Sequence, residues 1–136
     1  MDCIAPRVFI GNTLEANDRE VLQRDFIDAI LCLDGCMEPE QAEALNVKEI
    51  VKIPLEDGPG NDPQLFLHAV QELKRLADQH NRVLVHCRAG RSRSATVAAR
   101  YLMAMEGFTP HQAIWKLKYL HPQTELTPGM FDLLKH

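Results

Sequence analysis

The chain has no Cys-x-x-Cys pair, no internal repeat, no low-complexity tract and no long linker. No apolar run approaches the roughly 20 residues that a membrane-spanning helix needs. The opening residues, Met-Asp-Cys-Ile-Ala-Pro, contain no basic stretch followed by an apolar one, so a signal peptide is not expected. The expectation is a cytoplasmic protein with no integral membrane segment. Its four cysteines, Cys3, Cys32, Cys36 and Cys87, are then reduced thiols. Cys32 and Cys36 lie four apart with no second pair to complete a zinc site, so no metal is expected. The pattern Gly-x4-Gly-Lys-Ser/Thr is absent too, which leaves nucleotide hydrolysis without support.

What remains is ordinary globular composition: 136 residues, 46% apolar and 25% charged. That length suits one domain, 1–136, able to fold without a metal or disulfide. The net charge is -4, which argues against a nucleic-acid partner. The charge is unevenly placed. Residues 1–62 hold 14 acidic and 5 basic side chains, whereas 63–136 hold 5 acidic and 10 basic ones.

Strand-like and helix-like stretches alternate. Arg7-Val8-Phe9-Ile10, Ala29 to Leu33, Val47 to Ile53 and Arg82 to His86 read as strands. Residues 54–62 hold two glycines and two prolines and read as a loop. Asp62 and Pro63 are placed as N-cap and first residue of a helix. Phe66, Ala69, Val70, Leu73, Leu76 and Ala77 then follow at helical spacing. A later helix carries Ala95, Ala98, Tyr101, Leu102 and Met105 and is closed by Gly107. Thr109-Pro110-His111-Gln112 reads as a capping box for another helix, with Ala113, Ile114, Leu117 and Leu120 as its apolar side. Thr127-Pro128 opens a last short one carrying Phe131 and Leu134. Strands alternating with helices imply an α/β sandwich with a largely parallel sheet.

The chemistry gathers in His86-Cys87-Arg88-Ala89-Gly90-Arg91-Ser92-Arg93-Ser94, between a strand and a helix. Ligands bind at such turns on the carboxyl edge of a parallel sheet. Arg88, Arg91 and Arg93 lie within six residues of Cys87. The helix aims its N-terminal N–H groups and positive dipole end at the same loop. All of these stabilise an anion and favour a thiolate over a thiol. Five residues separate Cys87 from Arg93, enough for a loop to curl around one tetrahedral oxyanion. The Arg93 guanidinium can close that ring with two parallel hydrogen bonds. Gly90 permits a turn that a Cβ would obstruct.

This segment resembles the His-Cys-x5-Arg-Ser/Thr motif of cysteine-dependent protein tyrosine phosphatases, most closely their dual-specificity branch. Val8-Phe9-Ile10-Gly11 is similar to the opening strand of these domains, and the likeness covers nearly the whole chain. It implies a central, mostly parallel sheet of about five strands flanked by helices. It implies phosphomonoester hydrolysis through a cysteinyl-phosphate, on phosphotyrosine and phosphoserine or phosphothreonine, with no cofactor. Cys87 would be the nucleophile, and the loop Arg88, Ala89, Gly90, Arg91, Ser92 and Arg93 would bind the phosphoryl group. Ser94 would assist departure of the sulfur. His86 faces away from the Cys87 side chain on its strand. By the family pattern it orders the loop by hydrogen bonding. Arg88 and Arg91 are as consistent with solvated surface as with substrate contact.

Asp57, 30 residues before the cysteine, matches the family's general acid. Glu56 and Asp62 compete for that role, although Asp62 has a sufficient one as N-cap. Pro128-Gly129 departs from the asparagine that often follows the family's last conserved proline, so one loop-supporting hydrogen bond is not assured. The same stretch and the loop also resemble phosphatidylglycerophosphate phosphatases, and basic loop residues occur in phosphoinositide-directed members. A phospholipid or other non-protein phosphomonoester is thus an alternative substrate. Two readings of other classes stay open: a non-catalytic phospho-binding module and a rhodanese-type sulfurtransferase. A monomer is favoured. Oxidative pairing of Cys87 with Cys36 or Cys3 is a further possibility for control.

Overall fold

Short β-branched and apolar runs build one sheet, in a computed structural model that describes residues 1–135. Its strands are β1 (Asp2–Ala5), β2 (Val8–Gly11), β3 (Ala29–Cys32), β4 (Glu49–Lys52) and β5 (Val83–His86), in the order β1-β2-β5-β3-β4. All neighbours run parallel except β1, which is antiparallel to β2. The five-stranded, mostly parallel sheet therefore holds, and β1 is its antiparallel member. The hydrophobic pattern does not announce β1, because only Ile4 of its four residues is buried. A turn at Arg7, with φ of 67°, folds β1 back onto β2.

The buried strands β2, β3 and β5 have no exposed residue, as strands covered on both faces require. Successive side chains point to opposite faces. Val83, Val85 and Cys87 enter one core, with Phe66 and Leu73 of α4 (Pro63–Gln79), Ala95 and Leu102 of α5 (Arg93–Glu106), and Leu117 of α6 (Pro110–Leu120). Leu84 enters the other core, with Ala16 of α1 (Thr13–Ala16), Leu22 of α2 (Arg19–Arg24), Met37, and Leu45 of α3 (Ala42–Leu45). Leu73 is fully buried, so Leu73→Ala should cost about 2–5 kcal/mol.

The long helices follow their sequence signals. Asp62 caps α4 by accepting from the Gln64 N–H at 2.9 Å, and the six apolar residues expected on its inner face are its buried ones. Gly107 ends α5 with φ of 71°, and Thr109 and Gln112 form the capping box of α6. Met105 departs from the expected stripe: it is exposed at the last turn of α5. The final helix is a 3-10 turn, Phe131–Lys135, that buries Leu133 and Leu134. No described helix is long and apolar enough to cross a membrane.

Candidate active site

Gly11, Cys32 and His86 are register partners at the ends of β2, β3 and β5. The loops that leave these ends therefore converge at the carboxyl edge of the sheet. The central one, residues 87–92, curls above β5 and runs into α5. Three donors from outside hold its carbonyl groups. The Thr13 N–H donates to Arg88 O at 3.1 Å, and the Glu125 N–H donates to Arg91 O at 2.9 Å. His121 Nε2 donates to Gly90 O at 2.6 Å. A trans peptide points its N–H opposite to its C=O. Tying these oxygens outward thus turns the N–H groups of Ala89, Arg91 and Ser92 toward the hollow, the arrangement that binds an anion.

Gly90 is required here in both senses. Its φ is 70°, and a Cβ would lie 2.8 Å from the Gly11 carbonyl oxygen. The loop rests directly on the turn after β2.

Ser92 occupies the N-cap position of α5, but its side chain caps nothing there. Its hydroxyl instead accepts from the Thr127 N–H at 2.9 Å and lies 3.0 Å from the Thr127 hydroxyl. No side chain competes with an anion for the first N–H groups of α5.

Cys87 is 2% exposed, with Sγ 3.1 Å from Ser94 Oγ. Ser94, in the first turn of α5, thus reaches back to the sulfur. Arg93 is half-buried and donates from Nη1 to Leu55 O at 3.3 Å, across the pocket on the loop that carries Asp57. Arg88 and Arg91 are exposed at the rim. His86 is fully buried on the opposite face of β5. Its Nδ1 lies 3.3 Å from Cys87 O and its Nε2 3.2 Å from Met37 Sδ. Burial pushes its pKa below the ordinary histidine value.

A pocket of about 440 Å³ is lined by Asp57, Cys87, Arg88, Ala89, Arg91, Ser92 and Arg93, with Glu125 to Pro128 as its far wall. Of the three carboxylates weighed from sequence, only Asp57 lines it. Asp62 caps α4, and the Glu56 backbone is tied to Asn61. Thr127 donates to Asp57 Oδ1 at 2.8 Å. Ser92, Thr127 and Asp57 thus form a chain from one wall of the pocket to the other.

Asp2, His121 and Glu125 carried no sequence signal. His121 is fully buried, and its Nδ1 lies 2.5 Å from Asp2 Oδ2, so Asp2 orients the ring that holds Gly90. Asp2, Gly90 and His121 are far apart in sequence, and only the topology joins them. Glu125 is a second pocket carboxylate. Gly129, where the family pattern has asparagine nearby, has φ of 91° and lies so close to Pro59 that a Cβ would meet it at 2.7 Å. The loop is held by the Ser92–Thr127 and His121–Gly90 bonds.

Residues 8–135 match the family model of the dual specificity phosphatase catalytic domain. The chain belongs to the dual specificity phosphatases. It is 29% identical to human dual specificity phosphatase 28 over 133 residues, covering 97% of this chain and 74% of that protein. It is 33% identical over 134 residues to a MAP kinase phosphatase with leucine-rich repeats from Dictyostelium discoideum, where it covers 98% of this chain but 15% of the relative. The crystal structure of human DUSP28 superposes with a TM-score of 0.85 at 26% identity, covering 99% of this chain and 93% of that one. The fold and the dual-specificity phosphatase activity are those of the family, and the rhodanese-type alternative falls away.

Proposed function

We propose that Cys87 is the nucleophile of this dual specificity phosphatase and forms a cysteinyl-phosphate, with Arg93 and the loop N–H groups holding the phosphoryl oxygens. One observation carries the reading. A buried sulfur, an uncapped helix N-terminus, the Arg93 guanidinium and the Asp57 carboxyl line the same pocket. The thiolate attacks phosphorus in line while the leaving oxygen takes a proton from Asp57. Charge spread over the equatorial oxygens is met by fixed N–H groups and Arg93. Asp57, now ionised, takes a proton from water as that water attacks the thiophosphate. Ser94 donates to the departing Cys87 sulfur from 3.1 Å.

The substrates are phosphotyrosine and phosphoserine or phosphothreonine of proteins. Arg88 and Arg91 at the rim suit acidic flanking residues. A phospholipid monoester is the second reading. It is supported by 42% identity over 53 residues, or 39% of this chain, to human phosphatidylglycerophosphatase and protein-tyrosine phosphatase 1. The four free thiols fit a reducing compartment such as the cytoplasm, where a monomer would act as one catalytic domain.

Phosphate release from phosphopeptides, phosphoinositides and phosphatidylglycerophosphate, compared by kcat/KM, tests the choice of substrate. Higher kcat/KM on lipid would overturn the protein reading. Cys87→Ser should lower turnover on every substrate by on the order of 10⁴-fold or more. Undiminished turnover would remove Cys87 from the mechanism.

A further inference from the structure

Behind the phosphate loop, on the face of β5 away from the pocket, Cys32, Asp34, Cys36 and His86 bring their donor atoms within 4.8 Å of one another. Sequence spacing left Cys32 and Cys36 without a second pair. The sheet completes the set, because Cys32 of β3 is the register partner of His86 on β5. Asp34 and Cys36 follow on the loop after β3. We propose that this cluster is a tetrahedral site for a borderline-soft divalent cation of the zinc class, which braces the back of the phosphate loop.

The donor set is two thiolates, one imidazole and one carboxylate, the types that zinc takes in four-coordinate sites. Ligands of a tetrahedral ion with bonds of about 2.0–2.3 Å stand roughly 3.3–3.8 Å apart. The donor atoms, within 4.8 Å of one another, must draw in to these separations by side-chain rotation.

A second observation points to a ligand. A neutral imidazole carries one lone pair and one N–H. The two hydrogen-bond partners of the His86 ring are Cys87 O and Met37 Sδ, and neither has a proton to give. Either tautomer therefore leaves a fully buried lone pair facing an acceptor, which is unfavourable. With the Met37 side chain rotated off Nε2, a cation there removes that conflict and leaves Nδ1–H to donate to Cys87 O. Metal-bound histidines commonly direct their other N–H to a carbonyl in this way. The outer partners of the sulfur are also in place. Cys36 Sγ lies 2.8 Å from Thr13 Oγ1 and 3.9 Å from Asn17 Nδ2, and both can donate to a thiolate. The Asp34 Oδ1 atom accepts from the Cys36 N–H at 3.0 Å, which sets the carboxylate toward the cluster.

The charge balance fits a structural role. Without the ion, two thiols, a neutral imidazole and the Asp34 carboxylate sum to one negative charge. Binding a divalent cation releases the two thiol protons to solvent and leaves the same sum. Burial opposes the Cys32 thiolate, and a directly bonded cation reverses that preference. The field at the phosphate loop therefore hardly changes, while the strand end before Cys87 becomes tied to the loop after β3. Cys87 itself points to the other core and takes no part.

Cobalt is the probe, because thiolate ligation gives a near-ultraviolet charge-transfer band and tetrahedral geometry gives intense visible bands. The reduced, chelator-treated protein should bind one cobalt ion with both signatures and release it to added zinc. Cys87→Ser should keep the spectrum. Cys36→Ser, at an exposed position, should weaken binding by about a hundredfold or more, since loss of even an outer partner costs about 10–100-fold. Asp34→Asn, as an independent variant, should weaken it too and alter the visible bands. Zinc should raise the Tm of wild type and of Cys87→Ser, but not of Cys36→Ser. A spectrum without thiolate bands overturns the proposal. So does a spectrum lost in Cys87→Ser, or one unaffected by both Cys36→Ser and Asp34→Asn.

Discussion

Residues 87–93 and residues 54–62 face each other across one pocket and are held in opposite ways. The phosphate loop is fixed from outside. Thr13, His121 and Glu125 each take one of its carbonyls, Thr127 takes the Ser92 hydroxyl, and Gly90 sits against Gly11. The Asp57 loop is anchored from outside at its ends, where Leu55 meets Leu33 and Arg93 and Asn61 meets Met130, and between these ends it is fixed mainly to itself. Asn61 accepts from the Glu56 N–H at 2.8 Å and donates to Glu56 O at 2.8 Å. It also reaches Gly58 O at 3.2 Å. At the tip, Thr127 is the hydrogen-bond tie to Asp57. A cradle for a tetrahedral anion must have its N–H groups placed beforehand, because reorganising them during reaction would forfeit their effect. An acid must instead follow the leaving group, so a self-contained loop on a light tether is the useful construction.

Removing the acid is the strongest test of that contrast. Asp57→Ala should reduce kcat on phosphoesters with poor leaving groups by about 10²–10³-fold. Aryl phosphates with good leaving groups need little protonation and should lose far less. Vanadate binding should be nearly unchanged, since the cradle lies in the other loop. An equal loss on both substrate classes would move the proton to another group, and Glu125 is the remaining carboxylate in the pocket wall.

The second test strikes the fixed loop from behind. His121→Leu leaves Gly90 O without its donor and Asp2 without its ring. The N–H group at 91 then loses its orientation, and kcat/KM should fall on the order of tenfold to a hundredfold for good and poor leaving groups alike. Vanadate affinity should fall in parallel. His121→Gln, which retains a donor, should recover most of both. A drop in Tm with vanadate affinity intact would make His121 a packing residue only.

The same contrast explains what could be read in advance. Residues 86–94 are contiguous, so the nucleophile, the guanidinium and the supporting serine are visible as a string. Asp57 sits just before a glycine-rich stretch and a capped helix, which is also a local signal. Asp2 and His121 have no such context, and Thr127 reads only as the start of a helix: an aspartate and a histidine at scattered positions mean nothing until β1 pairs with β2 and α6 packs beside them. The helices α4, α5 and α6 carry long stripes and caps, so they are legible. The helices α1 and α3 are four residues each, too short for a period to show, and they exist because Asn12 caps one and the second core covers both. Cys32 likewise reads as core from its apolar run. Its neighbours in space, Asp34, Cys36 and His86, come from register.

The smallest effect probes the tether between the two loops. Thr127→Val preserves shape and the backbone bond to Ser92 while deleting the hydroxyl that donates to Asp57. A hydrogen bond of this kind contributes about 0.5–1.5 kcal/mol, so kcat on poor leaving groups should fall by about two- to tenfold. Good leaving groups should be nearly unaffected, because the cradle keeps its other anchors. If the hydroxyl acts through Asp57, the two substitutions cannot be additive. In the Asp57→Ala background Thr127→Val should change almost nothing, and the coupling should account for nearly the whole single-mutant effect. Full additivity would show that Thr127 acts on the phosphate loop through Ser92 instead, and the two loops would then be independent.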